Sequence, residues 1–114
     1  MIGRLFRSWG ARVAVEGRSM APTLLPGDWL LADPDAYRDS PPRVGDLVLV
    51  PDPRDPSRLL VKRVAEVVDG TLSVAGDSPG ESTDSRAFGP VEASVVEGRP
   101  WFRYWPLHRW GRIV

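Results

Sequence analysis

Proline most constrains how this chain folds. Twelve of the 114 residues are proline, and most fall in turn-like clusters with glycine and aspartate, such as "LLPGD", "DSPPRVGD" and "PDPRDPSR". Proline lacks the backbone N–H that a helix interior requires, and its ring clashes with the preceding turn. Long helices therefore have little room, and we expect short strands joined by turns.

The segments between these turns are rich in valine, leucine and aromatic residues, a composition typical of strands. They cover residues 12–16, 28–33, 46–50, 59–68, 71–75 and 94–104. Short strands at fairly even spacing predict a mostly β fold, with coiled antiparallel sheets in a small barrel-like core. The length suits one domain.

We place that domain at residues 13–106, between a tail at 1–12 and a basic aromatic tail at 107–114. Apolar residues in the first tail fall at helical spacing, so a short amphipathic helix is one option there. No apolar run approaches the ~20 residues of a membrane span, and no signal-peptide core is visible. We therefore expect a cytoplasmic protein, or one peripheral to a membrane.

Composition excludes several kinds of chemistry. The chain has no cysteine and one histidine, His108, so thiolate nucleophiles and histidine-rich metal sites are ruled out. No metal or organic cofactor is implied. The formal net charge is zero, which gives no whole-chain reason to bind nucleic acid.

Both ends of the chain are basic and aromatic. Residues 1–18 hold four arginines and one acid, and residues 99–114 hold four arginines and no acid. Arginines interleaved with tryptophans suit contact with a membrane surface or stacking on a nucleic acid. The alternative is that the arginines are solvated and the aromatic rings pack on the domain.

Two residues are candidates for catalysis. Ser19 lies in "EGRSMAPTLLPGD", residues 16–28, at the junction of a strand and a proline-stiffened turn, a frame suited to a nucleophile. Fourteen of the 15 basic residues are arginine, and the exception is Lys62, in a predicted strand where Leu60 and Val64 share its face. A desolvated lysine has a lowered pKa and acts as a general base, which arginine cannot do. A lysine that snorkels at a strand edge is the alternative.

A serine hydroxyl needs a base beside it. His108 lies in a basic tail with nothing to order it, so Lys62 is the better partner for Ser19. Because the amine must be neutral, we expect activity to rise into mildly alkaline pH. A third stretch, residues 75–91, is dense in glycine, serine and aspartate. Such a loop is rich in groups that can orient a catalytic amine, although its composition is also that of an ordinary loop.

Together these stretches resemble the signal peptidase I family, which cleaves peptides with a Ser/Lys dyad. "SMAPTL" at 19–24 is similar to the nucleophile motif, and "GDWLLAD" at 27–33 to the strand after it. "KRV" at 62–64 is similar to the base motif, "GDSPGESTDSRAFG" at 76–89 to the last motif, and "GRPWFRYWP" at 98–106 to the closing strand. The resemblance covers nearly the whole chain.

The resemblance implies a role for each matching residue. Ser19 would be the nucleophile and its backbone N–H an oxyanion donor, with Lys62 as the general base. Ser82 would orient the lysine amine, and Asp84 and Arg86 would form an ion pair that holds the loop. Substrates would be proteins with an N-terminal leader, with small residues before the cut.

The chain departs from the family pattern in several places. Many members have a serine where Gly17 stands, so the second oxyanion donor is uncertain, and Ser78 replaces an asparagine. We expect the protein to lack the large inserted β-domain and the membrane anchor of many members, since no segment of this sequence matches either. This trimmed form resembles the proteases that mature nickel-type superoxide dismutase. The alternatives are a signal peptidase whose anchor is missing, or a non-enzymatic β-barrel that binds nucleic acid.

Overall fold

The computed structural model describes residues 5–7, 10–78, 80 and 88–113, with side chains from residue 12 onward. These residues form nine strands: β1 Leu5–Arg7, β2 Gly10–Ala14, β3 Trp29–Asp33, β4 Leu47–Asp52, β5 Asp55–Val68, β6 Thr71–Ala75, β7 Val91–Glu92, β8 Arg99–Trp105 and β9 Gly111–Arg112. Short 3-10 turns cover Ala93–Val95 and Leu107–Arg109. The predicted mostly β class is confirmed.

The strands form two antiparallel sheets. The first has the order β1-β2-β3-β8-β9, and the second has the order β4-β5-β6-β7. They touch where Leu49 N–H donates to the carbonyl of Gly98 at 3.0 Å and Glu97 N–H donates to the carbonyl of Leu49 at 2.8 Å. The second sheet carries the lysine strand, and the first sheet frames the segment that contains Ser19.

Both ends of the chain extend the first sheet. Residues 5–7 and 10–14 are strands, so the helix considered for the first tail is not what its described residues form. The reason is pairing, since β1 lies against β2, and β2 lies against β3. At the other end, β9 pairs with β8, which adds part of the basic aromatic tail to the sheet.

The centre of the second sheet is buried on both faces. Alternate residues of β4 and β5 belong to two apolar clusters, one on each side. The first cluster includes residues of β2, β3 and the Ser19 segment, and the second includes residues of β6 and β7. Burial on both faces explains why β4 and the middle of β5 read as continuous apolar runs rather than alternating patterns.

Asp28 ties the Ser19 segment to the first sheet. Its side chain is buried, and its Oδ2 accepts hydrogen bonds from Leu25 N–H at 2.9 Å, Arg103 Nη1 at 3.1 Å and Arg109 Nη2 at 3.3 Å. The same two arginines donate to the carbonyl of Thr23 at 2.9 and 3.3 Å. The turn after Ser19 is therefore fixed to β8 and to the 3-10 turn that follows it.

We expect Asp28→Ala to lower the free energy of unfolding by about 3 kcal/mol, because it leaves two largely buried guanidiniums without their carboxylate. Urea denaturation measures this. Asp35→Ala is the matched control, since Asp35 is exposed and pairs only with exposed Arg38; its effect should stay within about 0.5 kcal/mol. Equal midpoints for the two variants would contradict the structural role of Asp28.

Candidate active site

Ser19 lies in a tight turn that follows β2. Ala21 N–H donates to the carbonyl of Arg18 at 3.1 Å, and Leu24 N–H donates to the carbonyl of Met20 at 2.9 Å. Met20 and Leu24 are buried in the first apolar cluster, whereas Ser19 itself is partly exposed. The turn is thus anchored in the core next to the partly exposed serine.

Gly17, two residues earlier, has a φ of 76°. This is the left-handed region, which glycine adopts freely and other residues adopt at a cost of about 1 kcal/mol. A Cβ here would meet no atom within 4 Å, so only the backbone conformation disfavours a side chain. The departure from the serine of many family members therefore has a physical reason in this chain.

Lys62 lies in the middle of β5, opposite Val48 of β4. Only 2% of its surface is exposed, and its neighbours on the same strand face, Leu60 and Val64, are buried in the second apolar cluster. The predicted burial of this lysine is confirmed. A lysine that snorkels to solvent from a strand edge is excluded, because almost none of the Lys62 surface is exposed.

Asp77 joins the three stretches that the sequence singles out. It receives a bidentate ion pair from Arg63, with Nε to Oδ1 at 2.9 Å and Nη2 to Oδ2 at 2.9 Å. Thr23 Oγ1 donates to Oδ2 of the same carboxylate at 2.7 Å. Next to it, Ser78 N–H donates to the carbonyl of Ser19 at 2.9 Å. The serine turn, the lysine strand and the start of the 75–91 loop therefore meet here.

The hydrogen bonds from Arg63 hold the pKa of the Asp77 carboxyl below its usual value, against the opposing effect of its partial burial. The same pairing raises the pKa of Arg63. The lowered pKa of Asp77 and the raised pKa of Arg63 both favour the charged forms of the two side chains, which bind each other most strongly. Arg63 also donates from Nη1 to the carbonyl of Gly45 at 2.9 Å, which fixes the guanidinium in position.

The predicted site residues divide into two groups. Ser19 and Lys62 lie on segments that the Asp77 junction holds together, but their roles as nucleophile and base stay predictions. Ser82, Asp84 and Arg86 lie outside the described residues, so their roles also stay predictions. His108, the alternative base, is exposed in the 3-10 turn after β8.

Sequence reasoning missed the residues that assemble the site. Asp77, Thr23 and Asp28 make contacts with partners 14 to 86 positions away, for example Arg63, Asp77 and Arg109. The only signal was that each lies within a stretch matching a family motif. Within the described part of the chain, no group of three or more histidine, aspartate or glutamate side chains is placed to hold a metal ion.

The β core joins a serine-bearing turn to a strand with a buried lysine. Comparison with known proteins identifies the class of this protein as a peptidase. The family profile described as "Signal peptidase, peptidase S26" matches residues 2–67 and 65–105. The chain belongs to this signal peptidase family.

Several relatives are proteases of mitochondria. The chain is 38% identical over 122 residues to the mitochondrial ATP-independent inner membrane protease subunit 1a of Arabidopsis thaliana, covering 87% of this chain and 73% of the relative. It is 36% identical over 121 residues to the mitochondrial inner membrane protease subunit 2 of Danio rerio, covering 87% of this chain and 66% of the relative. Subunit 1 of Homo sapiens is 29% identical over 126 residues, with 93% and 76% covered.

These relatives correct one expectation. The prediction of a cytoplasmic location is wrong, because the names of the relatives place them at a membrane and point to a membrane-associated location. The composition of the chain was a poor guide to its location, because it describes the residues present and not the place where related proteins act. Among the described residues, no helix is long and apolar enough to cross a bilayer.

We expect Asp77 to make stability sensitive to acid. Its pKa is lower in the folded state than in the unfolded chain, where it is about 3.9, so its contribution is full above about pH 5 and is lost as the pH falls through about 4 and below. Thermal unfolding between pH 6 and pH 3 measures this. Asp77→Asn should reduce the loss of thermal stability between pH 6 and pH 3. Asp39→Asn, at an exposed loop position, should leave that loss as it is in wild type. The same pH dependence in both variants would refute the role of Asp77.

Proposed function

We propose that this protein is a serine endopeptidase in which Ser19 is the nucleophile and Lys62 is the general base, and that it removes an N-terminal leader from a protein substrate. The observation that carries the proposal is the burial of Lys62 on the strand that Arg63 and Asp77 link to the serine turn. Membership of the signal peptidase family supports the same reaction.

The environment of Lys62 favours its role as a base. Water stabilises an ammonium ion, and an apolar surrounding disfavours the charged form relative to the neutral amine. A neutral amine can accept the proton of the Ser19 hydroxyl as its oxygen attacks the carbonyl carbon of the scissile bond. Arginine in this position would keep its proton.

The attack produces a tetrahedral intermediate with a negatively charged oxygen. We propose the backbone N–H of Ser19 as one donor to this oxygen, since the turn fixes that amide. Gly17 offers no side-chain hydroxyl as a second donor. Lys62 then gives its proton to the leaving amine as the peptide bond breaks, and water hydrolyses the acyl-enzyme with Lys62 again as base.

The substrate is proposed only as a class, a protein with an N-terminal leader. Maturation of nickel-type superoxide dismutase has no support from the relatives found, which carry names of mitochondrial inner membrane proteases. A precursor of that dismutase therefore enters the experiment as one test substrate beside a secretory precursor.

The test compares wild type with Ser19→Ala and Lys62→Arg on each precursor, with products identified by mass spectrometry. We expect wild type to remove a leader and both variants to lose at least ~1000-fold in rate, because one lacks the nucleophile and the other lacks a group that accepts a proton. Lys62→Arg keeps the positive charge and so isolates the loss of the base.

The control variant is Ser73→Ala, which removes a partly buried hydroxyl from β6. It should cleave at the wild-type rate. Circular dichroism shows whether each variant is folded. Cleavage by folded Ser19→Ala or Lys62→Arg at the wild-type rate would overturn the dyad, and cleavage of the secretory precursor alone would exclude the dismutase as substrate.

We also propose that the C-terminal segment contacts a membrane surface. Large apolar side chains stand exposed there: Trp101 at 40%, Trp105 at 51%, Leu107 at 69% and Trp110 at 62%. Exposed Arg99 lies on β8, the strand that also carries Trp101 and Trp105, and exposed Arg112 lies on the adjacent β9. Tryptophan with arginine suits the interface of a bilayer that contains anionic lipids, and the names of the relatives agree with such a location.

Sedimentation with vesicles tests this contact. We expect wild type to bind vesicles that contain phosphatidylglycerol, and Trp105→Ser with Leu107→Ser to reduce the bound fraction several-fold, because the apolar surface that enters the interface is removed. Val44→Ser is the matched control, since Val44 is 64% exposed in the loop that joins β3 to β4. Wild type that stays in the supernatant, or equal binding by all variants, would refute the proposal.

A further inference from the structure

Thr23 contacts two separate networks within the structure. Its side-chain hydroxyl donates to Asp77, which is bound to Arg63 on the lysine strand. Its backbone carbonyl accepts from Arg103 and Arg109, which both bind the buried Asp28. A single residue, four positions after Ser19, thus connects the serine turn to both sheets.

We propose that the Thr23 hydroxyl is a positioning group for catalysis, which sets the placement of the Ser19 turn relative to the strand that bears Lys62. This inference rests on the proposed Ser/Lys reaction. Thr23 takes no part in the chemistry itself. It acts through Asp77, whose carboxylate binds the serine turn and the lysine strand at the same time.

The geometry at Asp77 shows why one hydroxyl matters. Arg63 binds both carboxylate oxygens at 2.9 Å, so the orientation of the carboxylate is fixed by the residue next to Lys62. The 2.7 Å hydrogen bond from Thr23 Oγ1 is charge-assisted and short. It connects the side chain of the turn directly to an anchor on the lysine strand.

A second contact runs in parallel through the backbone. Ser78 N–H donates to the carbonyl of Ser19 at 2.9 Å, so the residue after Asp77 holds the serine itself. The two bonds secure both ends of the turn from residue 19 to residue 23. Removal of the Thr23 bond leaves the turn attached through the Ser19 carbonyl and through the arginines on its opposite side.

The expected consequence is a loss in rate rather than in folding. Met20 and Leu24 remain buried, and the two arginines still hold the carbonyl of Thr23, so the turn keeps its place in the core. Without the Thr23 hydroxyl, the turn can still move relative to β5. A shift of about 1 Å between reacting groups can cost about 100-fold in rate.

The test compares Thr23→Val and Thr23→Ser by steady-state kinetics of cleavage of a leader-bearing precursor. Valine keeps the branched shape and removes the hydroxyl, whereas serine keeps the hydroxyl. We expect Thr23→Val to lower kcat by 10- to 100-fold with KM within about twofold, and Thr23→Ser to restore most of the rate. Rates are normalised to the folded fraction of each variant, and Thr23→Ala is a second variant that lacks the hydroxyl.

Thr71→Val is the matched control, since Thr71 lies at the start of β6 and outside the segments that match the family motifs. A purely structural role for Thr23 predicts a lower melting temperature with normal kcat below it, and no rescue that depends on the hydroxyl. Thr23→Val with a rate within twofold of wild type overturns the inference. Equal losses in Thr23→Val and Thr23→Ser also overturn it, because the hydroxyl is then not the cause.

Failure of the underlying reaction gives a different result. In that case Ser19→Ala and Lys62→Arg cleave as wild type does, whatever the Thr23 variants do. Active wild type, inactive Ser19→Ala and unchanged Thr23→Val would leave the Ser/Lys reaction intact and remove only the positioning role. The two claims are therefore separable within one set of variants.

Discussion

The ion pair between Arg63 and Asp77 is the contact on which the arrangement of the candidate site depends. It crosses from β5 to the segment after β6, and its carboxylate also receives the hydroxyl of Thr23 from the serine turn. Part-buried charged groups are costly unless they are paired and hydrogen-bonded. Both carboxylate oxygens of Asp77 have a donor, so the junction satisfies that condition while it joins three segments distant in sequence.

A second charged network holds the same turn from the opposite side. Asp28 is buried and receives Arg103, Arg109 and the backbone of Leu25. The serine turn is thus held between two carboxylate junctions, one for each sheet, with Met20 and Leu24 packed in the core beneath it. A turn held in this way can present a hydroxyl at a fixed position, which is what preorganised catalysis requires.

Lys62 is an ionisable residue buried in the middle of β5, where its neighbours on the same strand face are apolar. Burial of an ammonium group disfavours its charged form and gives nothing to packing that leucine would not give. Natural proteins keep such conflicts between local environment and residue type mainly at functional sites. The resemblance of "KRV" at 62–64 to a family motif and this conflict both support the base proposed above, and they rest on different kinds of evidence.

The sequence by itself determined the elements and the family. Prolines excluded long helices, apolar segments predicted most strands within a few residues, and the apolar residues Leu60 and Val64 on the same strand face indicated the burial of Lys62. Only the tertiary structure decided that both tails add strands to the first sheet, and that Asp77, Thr23 and Asp28 assemble the site. The reason is physical, since periodicity and turn chemistry act between near neighbours, whereas these hydrogen bonds join residues that are brought together only when the sheets pack.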